Sequence, residues 1–519
     1  MNKLSSPASS PLLIPFIAVV AGAVNVLAFA PFGVWPLQIV ATALVFRLAL
    51  RAQGFRQGQW IGWTFSFGWL ATGFHWLYIS MHRYGGLPGW MAAAAVGLLA
   101  FGLSIFAAIA LGSGVRLKQR WGLSEPVTLL LVFPSLWALA EWIRGWVFTG
   151  FPWVSSGYAH TNGPLAGFAP VVGVYGVGWI AGMMAGCLAL LPARRLPLAL
   201  AAALLAAGFG LKSIAWTTPH GSPISVRLLQ GNVPQEMKFA PDQIEATLSL
   251  YYGMISREPA DLIATPETAI PLLSSQLPAD YLDLLSTFAR RSKSHIALGI
   301  PVSDGPGQYA NSMVGLSPQA NAPTYRYDKH HLVPFGEFIP LGARWFVEMM
   351  NIPLGDFTRG KLLQKPFAVR DQWILPNICY EDLFGEEIAA QIAAGGTADM
   401  PQATILLNMS NIAWFGDSIA LPQHLQISQM RALETGRPML RATNTGATAV
   451  INQKGEVVAR LPPFQRGVLT ASVQGFEGFT PYIRYGNIIV LAGAVLLLAA
   501  ARLLGRASRK NAHKASENR

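Results

Sequence analysis

The sequence predicts a polytopic α-helical membrane domain of about eight spans joined to a water-exposed α/β domain. The chain has 519 residues, of which 52% are hydrophobic and 12% are charged, whereas an ordinary soluble protein carries about 25% charged residues. The acidic residues are also concentrated in one region. Only Glu125, Glu141 and Glu517 lie outside residues 217–480, which therefore hold 23 of the 26 acids.

Apolar stretches long enough to cross a bilayer flank the acidic region. A spanning helix needs about 20 mostly apolar residues. The first stretch is long and is followed at once by others, so we expect a retained helix and not a cleaved signal peptide. We therefore predict a membrane domain over 1–215, a water-exposed domain over 216–480, and a last span with a basic tail over 481–519. The predicted spans are 11–30, 34–50, 58–79, 89–111, 126–147, 166–191, 197–214 and 486–505.

The basic residues predict the orientation in the membrane. Short cytoplasmic loops are enriched in Lys and Arg. The net charge of +12 is concentrated in these loops and the tail, so it indicates topology and lipid contact and not nucleic-acid binding. We expect both termini in the cytoplasm and the water-exposed domain in the periplasm of a bacterial inner membrane. The basic residues after every second span and in the tail are Arg51, Arg56, Arg116, Lys118, Arg120, Arg194, Arg195, Arg506, Arg509, Lys510 and Lys514.

The two cysteines have different contexts. Cys187 lies in the predicted sixth span, where a small packing role is expected. Cys379 lies in the water-exposed domain, so the two are not expected to pair. An unpaired thiol in an oxidising compartment is a liability, and Cys379 is therefore a candidate functional residue.

Strand-like and helical patterns alternate in the water-exposed domain, which favours an α/β fold. No nucleotide-binding glycine motif appears, and the histidines (His330, His331 and His424) are too scattered to predict a metal site. We predict no metal and no cofactor. The strand-like runs are 225–229, 261–264, 295–300, 373–378, 403–407 and 447–451, and the helical patterns are 242–257, 277–292, 384–394 and 422–435.

Three short blocks place reactive side chains just after strand-like runs. Taken singly, a Glu or a Lys in such a position is more often a solvated loop residue. Taken together, they provide the thiol nucleophile, the carboxylate base and the fixed cation that cysteine acyl chemistry requires. The blocks contain Glu267 in the first, Lys329 and Glu337 in the second, and Cys379, Tyr380 and Glu381 in the third.

These blocks, in this order, resemble the nitrilase or carbon–nitrogen hydrolase superfamily. The fuller resemblance, over nearly the whole chain, is to the apolipoprotein N-acyltransferase family of bacterial lipoprotein maturation. The resemblance implies a nitrilase-like α-β-β-α sandwich on a membrane base. Further blocks that carry it are 141–153, 230–235, 411–417 and 431–438.

The resemblance implies a catalytic triad of Glu267 as general base, Lys329 as stabiliser of the tetrahedral intermediate and Cys379 as nucleophile. The acyl donor would be a membrane phospholipid, with phosphatidylethanolamine expected. The acceptor would be the α-amino group of the diacylglyceryl-modified N-terminal cysteine of an apolipoprotein, reached through a thioester in a ping-pong scheme.

Other residues are expected to support this chemistry. The apolar stretch 340–353 is either a mobile lid that excludes water or an ordinary membrane-facing helix. Family members often carry Trp where this chain has Phe239, so an aromatic packing role would survive and a role for an indole N–H would not. The expected supporting residues are Glu337, Tyr380 and Glu381, and the expected substrate-binding residues are Phe239, Trp345, Phe346, Trp414 and Phe415.

Two rival functions use the same sequence features. A membrane-tethered amidase of the nitrilase type could use the same triad, but one span would suffice to tether it. A non-catalytic lipid-binding or transport module would have no need of Glu267, Lys329 and Cys379 together. A transporter would also be expected to carry more ionisable residues within its spans than His75 and the Glu141 and Arg144 pair.

Overall fold

The computed structural model describes residues 13–191, 196–238, 240–320, 322–340, 342, 344–347 and 356–517. Its first portion, residues 13–191 and 196–212, is helical and is called the helical part below. Its helices are α1 (Leu13–Asn25), α2 (Pro36–Leu50), α3 (Phe55–Gly73), α4 (Leu77–Ile79), α5 (Gly89–Leu103), α6 (Ile105–Trp121), α7 (Glu125–Val127), α8 (Phe133–Arg144), α9 (Ala169–Ala189) and α10 (Leu196–Lys212).

Four helical stretches among the described residues are long and apolar enough to cross a membrane, namely Gly89–Trp121, Glu125–Arg144, Pro164–Ala189 and Ile488–Lys510. Three apolar helices, Leu13–Ala28, Pro36–Leu50 and Leu196–Lys212, are shorter. These helices fit a membrane domain, and the count of about eight spans stays a prediction.

Helix α6 extends further than the sequence pattern indicated. It continues through Arg116 and Arg120, which we had assigned to a loop, to Trp121. Gly122 ends it in the left-handed region (φ 66°), where its N–H donates to the carbonyl of Lys118. Cations in the last turn also interact favourably with the carbonyl end of the helix.

The second portion, residues 218–477, contains the strands and is called the sheet part. Two six-stranded sheets form, with strand orders β12-β1-β2-β3-β4-β5 and β11-β10-β9-β8-β7-β6. In each, a parallel trio (β1-β2-β3 or β7-β8-β9) is flanked by antiparallel strands. The strands are β1 (Thr218–Gln230), β2 (Leu262–Ala264), β3 (His295–Gly305), β4 (Gln308–Leu316), β5 (Tyr325–Asp328), β6 (Phe367–Val369), β7 (Gln372–Ile378), β8 (Ile405–Ser410), β9 (Met439–Thr443), β10 (Ala449–Ile451), β11 (Val457–Arg460) and β12 (Gly467–Glu477).

The sheets pack face to face and helices cover their outer faces, which confirms the predicted α-β-β-α sandwich. Val226 and Ala264 of one sheet share a buried core with Ile378 and Leu407 of the other. Separate cores join the first sheet to α11 and α12, and the second sheet to α14 and α15. The remaining helices are α11 (Pro241–Ser256), α12 (Tyr281–Ser292), α13 (Arg344–Val347), α14 (Gly385–Ala393), α15 (Ala420–Thr435), α16 (Pro481–Tyr485) and α17 (Ile488–Glu517).

Helix α15 joins the sheet part to the helical part. Gln423 accepts from the indole N–H groups of Trp76 (3.2 Å) and Trp153 (2.7 Å). One helical turn on, Gln426 accepts from the backbone N–H of Ala30 at 3.0 Å. The side chains along α15 are buried because it packs on a sheet and on the apolar helices. The sheet part is therefore held in a fixed position on its helical base.

Candidate active site

Cys379 lies at a strained turn at the carboxyl end of β7. Its φ of 52° is in the left-handed region, which costs free energy for a residue with a Cβ. A 3₁₀ turn, Cys379–Leu383, follows directly. Ile378 and Tyr380 on either side are buried, whereas Cys379 itself stays partly exposed. The turn therefore presents a thiol at the end of an otherwise buried strand.

Two side chains hold the carbonyl oxygen of Cys379. It accepts from Nε2 of His424 at 3.2 Å and from Nδ2 of Asn408 at 3.3 Å. Arg441 lies 3.2 Å from Nδ1 of His424, and an arginine can only donate. Nδ1 must therefore be the acceptor and Nε2 must carry the proton. Burial and the Arg441 guanidinium hold the pKa of His424 well below its usual value, which keeps this tautomer neutral.

A buried charged cluster faces the thiol. Glu267 follows β2 and Lys329 follows β5, and the Lys329 ammonium lies 3.2 Å from Oε1 of Glu267. The same ammonium lies 2.8 Å from Oε1 of Glu337. Lys329 is 1% exposed and the two glutamates 7% and 8%. The structure thus places Glu337 beside the triad residues, with one cation between two carboxylates.

The cluster contains polar residues that we did not predict. Nδ2 of Asn311, on β4, donates to Oε1 of both Glu267 and Glu337, at 2.8 Å each. The backbone N–H of Asn411, just after β8, donates to Oε2 of Glu267 at 2.8 Å. Lys238 is also buried here, and its ammonium donates to the carbonyl of Glu267 at 3.2 Å. Asn411 lies in the block 411–417, but only the fold reveals its contact and that of Lys238.

These charges and the burial of the site determine its protonation at rest. Burial and the nearby Glu267 carboxylate raise the pKa of the Cys379 thiol to about 12, although Lys329 opposes this rise. Burial alone would raise the pKa of Glu267, but Lys329, the Asn311 hydrogen bond and Lys238 outweigh it and hold that pKa below its usual value. Burial lowers the pKa of Lys238 to about 8. The resting site therefore has a neutral thiol beside an ionised carboxylate, so nucleophilic attack requires transfer of the thiol proton.

Glu381 and Tyr380 connect the thiol turn to its surroundings. Glu381 accepts from the backbone N–H groups of Ile378 and His330, both at 2.6 Å, and from the Tyr327 hydroxyl at 3.0 Å. Glu381 therefore links the end of β7, which carries Cys379, to the chain around β5, which carries Lys329. Tyr380 donates to the carbonyl of Gly150, in the helical part, at 2.8 Å.

Of the aromatic residues predicted to bind substrate, two contact the helical part and one is exposed. Phe415 packs on Trp76 with ring centroids 4.3 Å apart, and Trp414 meets Tyr84 edge-on at 5.8 Å, so both lie where the helical part borders the site. Trp345 lies on the short helix α13 and is 65% exposed. Phe239, the side chain of Phe346 and most of the stretch 340–353 lie outside the described residues.

Replacing Asn311 by Leu should move the pH dependence of activity. Because the Asn311 hydrogen bond helps to hold the pKa of Glu267 down, its loss should raise that pKa. If Glu267 must be ionised to act, the acidic limb of the pH–rate profile should shift to higher pH, with turnover about tenfold or more lower at neutral pH. The matched control is Ser312→Ala on the same strand, where the hydroxyl instead contacts Asp328. An unchanged acidic limb in Asn311→Leu would refute this role.

The two-sheet fold and the cysteine site define a class of protein. Residues 225–479 match the family model described as carbon–nitrogen hydrolase, and the sheet part therefore has the nitrilase-like fold of that superfamily. Among solved structures, an amidase from Nesterenkonia sp. matches with 19% identity and a TM-score of 0.37, over 52% of this chain and 95% of the amidase. The NitFhit protein of C. elegans matches with 16% identity and a TM-score of 0.38, over 51% and 63% of the two chains.

The helical part shows which family within this superfamily the chain belongs to. Residues 21–187 match the family model of the apolipoprotein N-acyltransferase N-terminal domain. The apolipoprotein N-acyltransferase of Ralstonia nicotianae is 52% identical over 93% of this chain and 92% of its own length. That of Nitrosomonas europaea is 43% identical over 94% and 97%. The chain belongs to the apolipoprotein N-acyltransferase family.

Proposed function

We propose that this protein transfers a fatty acyl chain from a membrane phospholipid to the α-amino group of an S-diacylglyceryl-cysteine at the N-terminus of a lipoprotein. Family membership supports the overall activity. The observation that carries the mechanism is the partly exposed Cys379 thiol at its strained turn, within the electrostatic reach of Glu267 and Lys329. That combination is suited to making and breaking a thioester.

In the first step, Sγ of Cys379 attacks an ester carbonyl of the phospholipid and its proton passes to Glu267. Negative charge then leaves the Glu267 carboxylate and develops on the carbonyl oxygen. The Lys329 ammonium, already 3.2 Å from Glu267, stabilises this oxyanion. The intermediate collapses by breaking the ester C–O bond. The departing lysophospholipid oxygen takes the proton from Glu267, and the acyl group remains on Sγ.

In the second step, the amine of the lipoprotein attacks the thioester. An α-amino group titrates near ~7.7–8.0, so a useful fraction is neutral and nucleophilic at neutral pH. Glu267 takes a proton from the attacking nitrogen, the C–S bond breaks, and the thiolate of Cys379 is reprotonated. An amide replaces a thioester, so no external energy source is needed.

The same proposal includes the arrangement in the membrane. Residues 1–215 form a membrane domain with seven spans, residues 216–480 form the periplasmic catalytic domain, and residues 481–519 form the last span and a cytoplasmic tail. The four long apolar helices and the shorter apolar ones support this division. The hydrogen bonds between α15 and the helical part would keep Cys379 at a constant height above the inner membrane, near both lipid substrates.

The supporting residues have distinct roles in this scheme. Glu337 orients the Lys329 ammonium, and Glu381 and Tyr380 hold the turn that carries Cys379. Trp414 and Phe415 border the path from the lipid phase, and Trp345 helps to exclude water from the acyl-enzyme. Phosphatidylethanolamine is the proposed donor.

The test is intact-protein mass spectrometry after incubation of the full chain with phosphatidylethanolamine in detergent, followed by a diacylglyceryl-cysteine peptide. We expect one added acyl mass on the wild-type protein, none on Cys379→Ala, and transfer of that mass to the peptide amine. An acyl mass released only to water would instead indicate a hydrolase. The absence of any adduct on wild-type protein that converts substrate would refute the covalent step.

A further inference from the structure

A cavity lies between the helical part and the sheet part, apart from the catalytic site. Its volume is about 610 Å³, within the range of about 300–1,000 Å³ typical of ligand pockets. Leu433, near the end of α15, lines the cavity, whereas His424 on the same helix contacts Cys379. These two positions are nine residues apart, or about 14 Å along a helix.

Both parts of the molecule build the walls of the cavity. The helical part contributes the end of α10 and the chain that leaves it, including Lys212 and Ile214, and the sheet part contributes the turn 453–456. Gln429 of α15 fastens this turn, because its Nε2 donates to the carbonyl of Gly455 at 2.8 Å and lies 3.3 Å from Oδ1 of Asn162. Hydrogen bonds between the two parts of the molecule therefore hold the turn that lines the cavity.

The charges at the cavity fit a phosphate group. Lys212 from the helical part and Lys454 from the sheet part both line it, against one carboxylate, Glu456. Lys212 and Lys454 are exposed, and the Lys212 ammonium lies within electrostatic reach of the Glu456 carboxylate. Trp216, which also lines the cavity, is of the residue type that concentrates at the boundary between membrane and water.

Exposed apolar side chains lie on one face of α10, the helix whose end lines the cavity. Leu198 and Phe209 are eleven residues apart, about three helical turns, so they share this face, and they are 53% and 63% exposed. In the proposed membrane arrangement this face meets hydrocarbon, while the end of the helix at Lys212 reaches the level of the lipid headgroups. A molecule with a phosphate at one end and acyl chains at the other would match the cavity and this face together.

We propose that this cavity binds a phospholipid of the surrounding bilayer through its phosphate, as a bound lipid separate from the acyl donor. Lys212 and Lys454 hold the phosphate from opposite sides of the junction, and the acyl chains lie along α10. The lipid thereby ties the sheet part to the helical part. The proposal needs the membrane placement of the helices but not the acyl-transfer chemistry.

Native mass spectrometry of the delipidated full chain, titrated with phosphatidylglycerol, tests this proposal. A Cys379→Ala background prevents consumption of lipid. In that background we expect Lys212→Ala with Lys454→Ala to weaken one lipid-binding event by about tenfold or more. Ala215→Trp, which fills the cavity without changing charge, should do the same. The matched control is Lys361→Ala with Lys365→Ala, two exposed lysines of the sheet part.

Each further result decides the proposal. Equal binding by the lysine pair variant and its control would overturn it, and so would unchanged binding in Ala215→Trp. Diacylglycerol binding as tightly as phosphatidylglycerol would exclude phosphate recognition. Inorganic phosphate that competes at equal concentration would indicate a site for the free anion and not for a lipid. A failure of acyl transfer in the wild type would leave these binding results unaffected.

Discussion

Replacing Glu267 by Gln should abolish formation of the acyl-enzyme while leaving the protein folded. The amide has almost the same shape but cannot take the thiol proton. Burial, the first cause of the raised pKa of Cys379, persists in the variant, so the thiol stays mostly neutral without a base. Loss of a positioned general base costs about 10²–10⁴-fold in rate. The measurement is the rate of acyl-mass appearance on the intact protein after mixing with phosphatidylethanolamine.

The hydrogen bonds around Glu267 explain why some loss of stability should accompany this change. Both of its oxygens accept, from Asn311 and Lys329 on one side and from the N–H of Asn411 on the other. A Gln side chain must turn its own NH₂ toward one of these donors, at a cost of about 1–3 kcal/mol. Glu245→Gln, an exposed change on α11, is the control for loss of charge. Acylation of Glu267→Gln at the wild-type rate would remove Glu267 from the mechanism.

The sequence was informative where function follows a buried strand. The runs 261–264 and 373–378 coincide with β2 and β7, because continuous apolar residues are the sign of strands buried on both faces. The reactive residues come directly after such runs, so Glu267 and Cys379 could be selected without knowing the fold. Six strands, β4, β5, β6, β9, β11 and β12, were not predicted, since they lack a long continuous apolar run.

Contacts between distant parts of the chain could not be predicted in this way. Asn311 looks like any polar residue in a strand, and its role arises from the antiparallel register of β3, β4 and β5, which brings it to Glu267 and Glu337. The sequence also predicts no role for His424, because its histidines are too scattered to indicate a metal site. His424 contacts the carbonyl of Cys379 because α15 packs between a sheet and the helical part. No local sequence pattern predicts that packing.

Replacing Lys329 by Met should make the stability of the protein fall between pH ~5 and pH ~8, where the charged cluster of the wild type gives no pH dependence. In the wild type, the lowered pKa of Glu267 contributes stability above its unfolded value, near ~4.3, and this is lost as pH falls. The raised pKa of Lys329 contributes stability below its unfolded value, near ~10.4, and this is lost only at alkaline pH. Between pH ~5 and ~8 the cluster's contribution should therefore be flat.

Without the Lys329 ammonium, Glu267 and Glu337 still accept from the same Asn311 Nδ2 group, and the Lys238 ammonium remains beside Glu267. Two adjacent buried carboxylates share one proton, which raises the pKa of the pair above the unfolded value. A raised acid pKa stabilises the fold below the unfolded pKa, and that stability is lost as pH rises. The melting temperature of Lys329→Met in detergent should thus fall from pH ~5 to pH ~8. Removing one partner of a buried ion pair costs about 3–5 kcal/mol, and acyl transfer should be lost at every pH.

The double variant Lys329→Met with Glu337→Gln separates the electrostatic cause from simple loss of packing. It removes the second carboxylate, so no proton needs to be shared and the pH slope of the melting temperature should become smaller, with the remaining slope due to the burial of Glu267. Activity should stay absent, because the cation that stabilises the oxyanion is still missing. If the single variant melted at the same temperature at pH ~5 and pH ~8, the two carboxylates would not be coupled through Lys329. If the double variant kept the slope of the single one, the slope would have to arise from a titrating group other than Glu337.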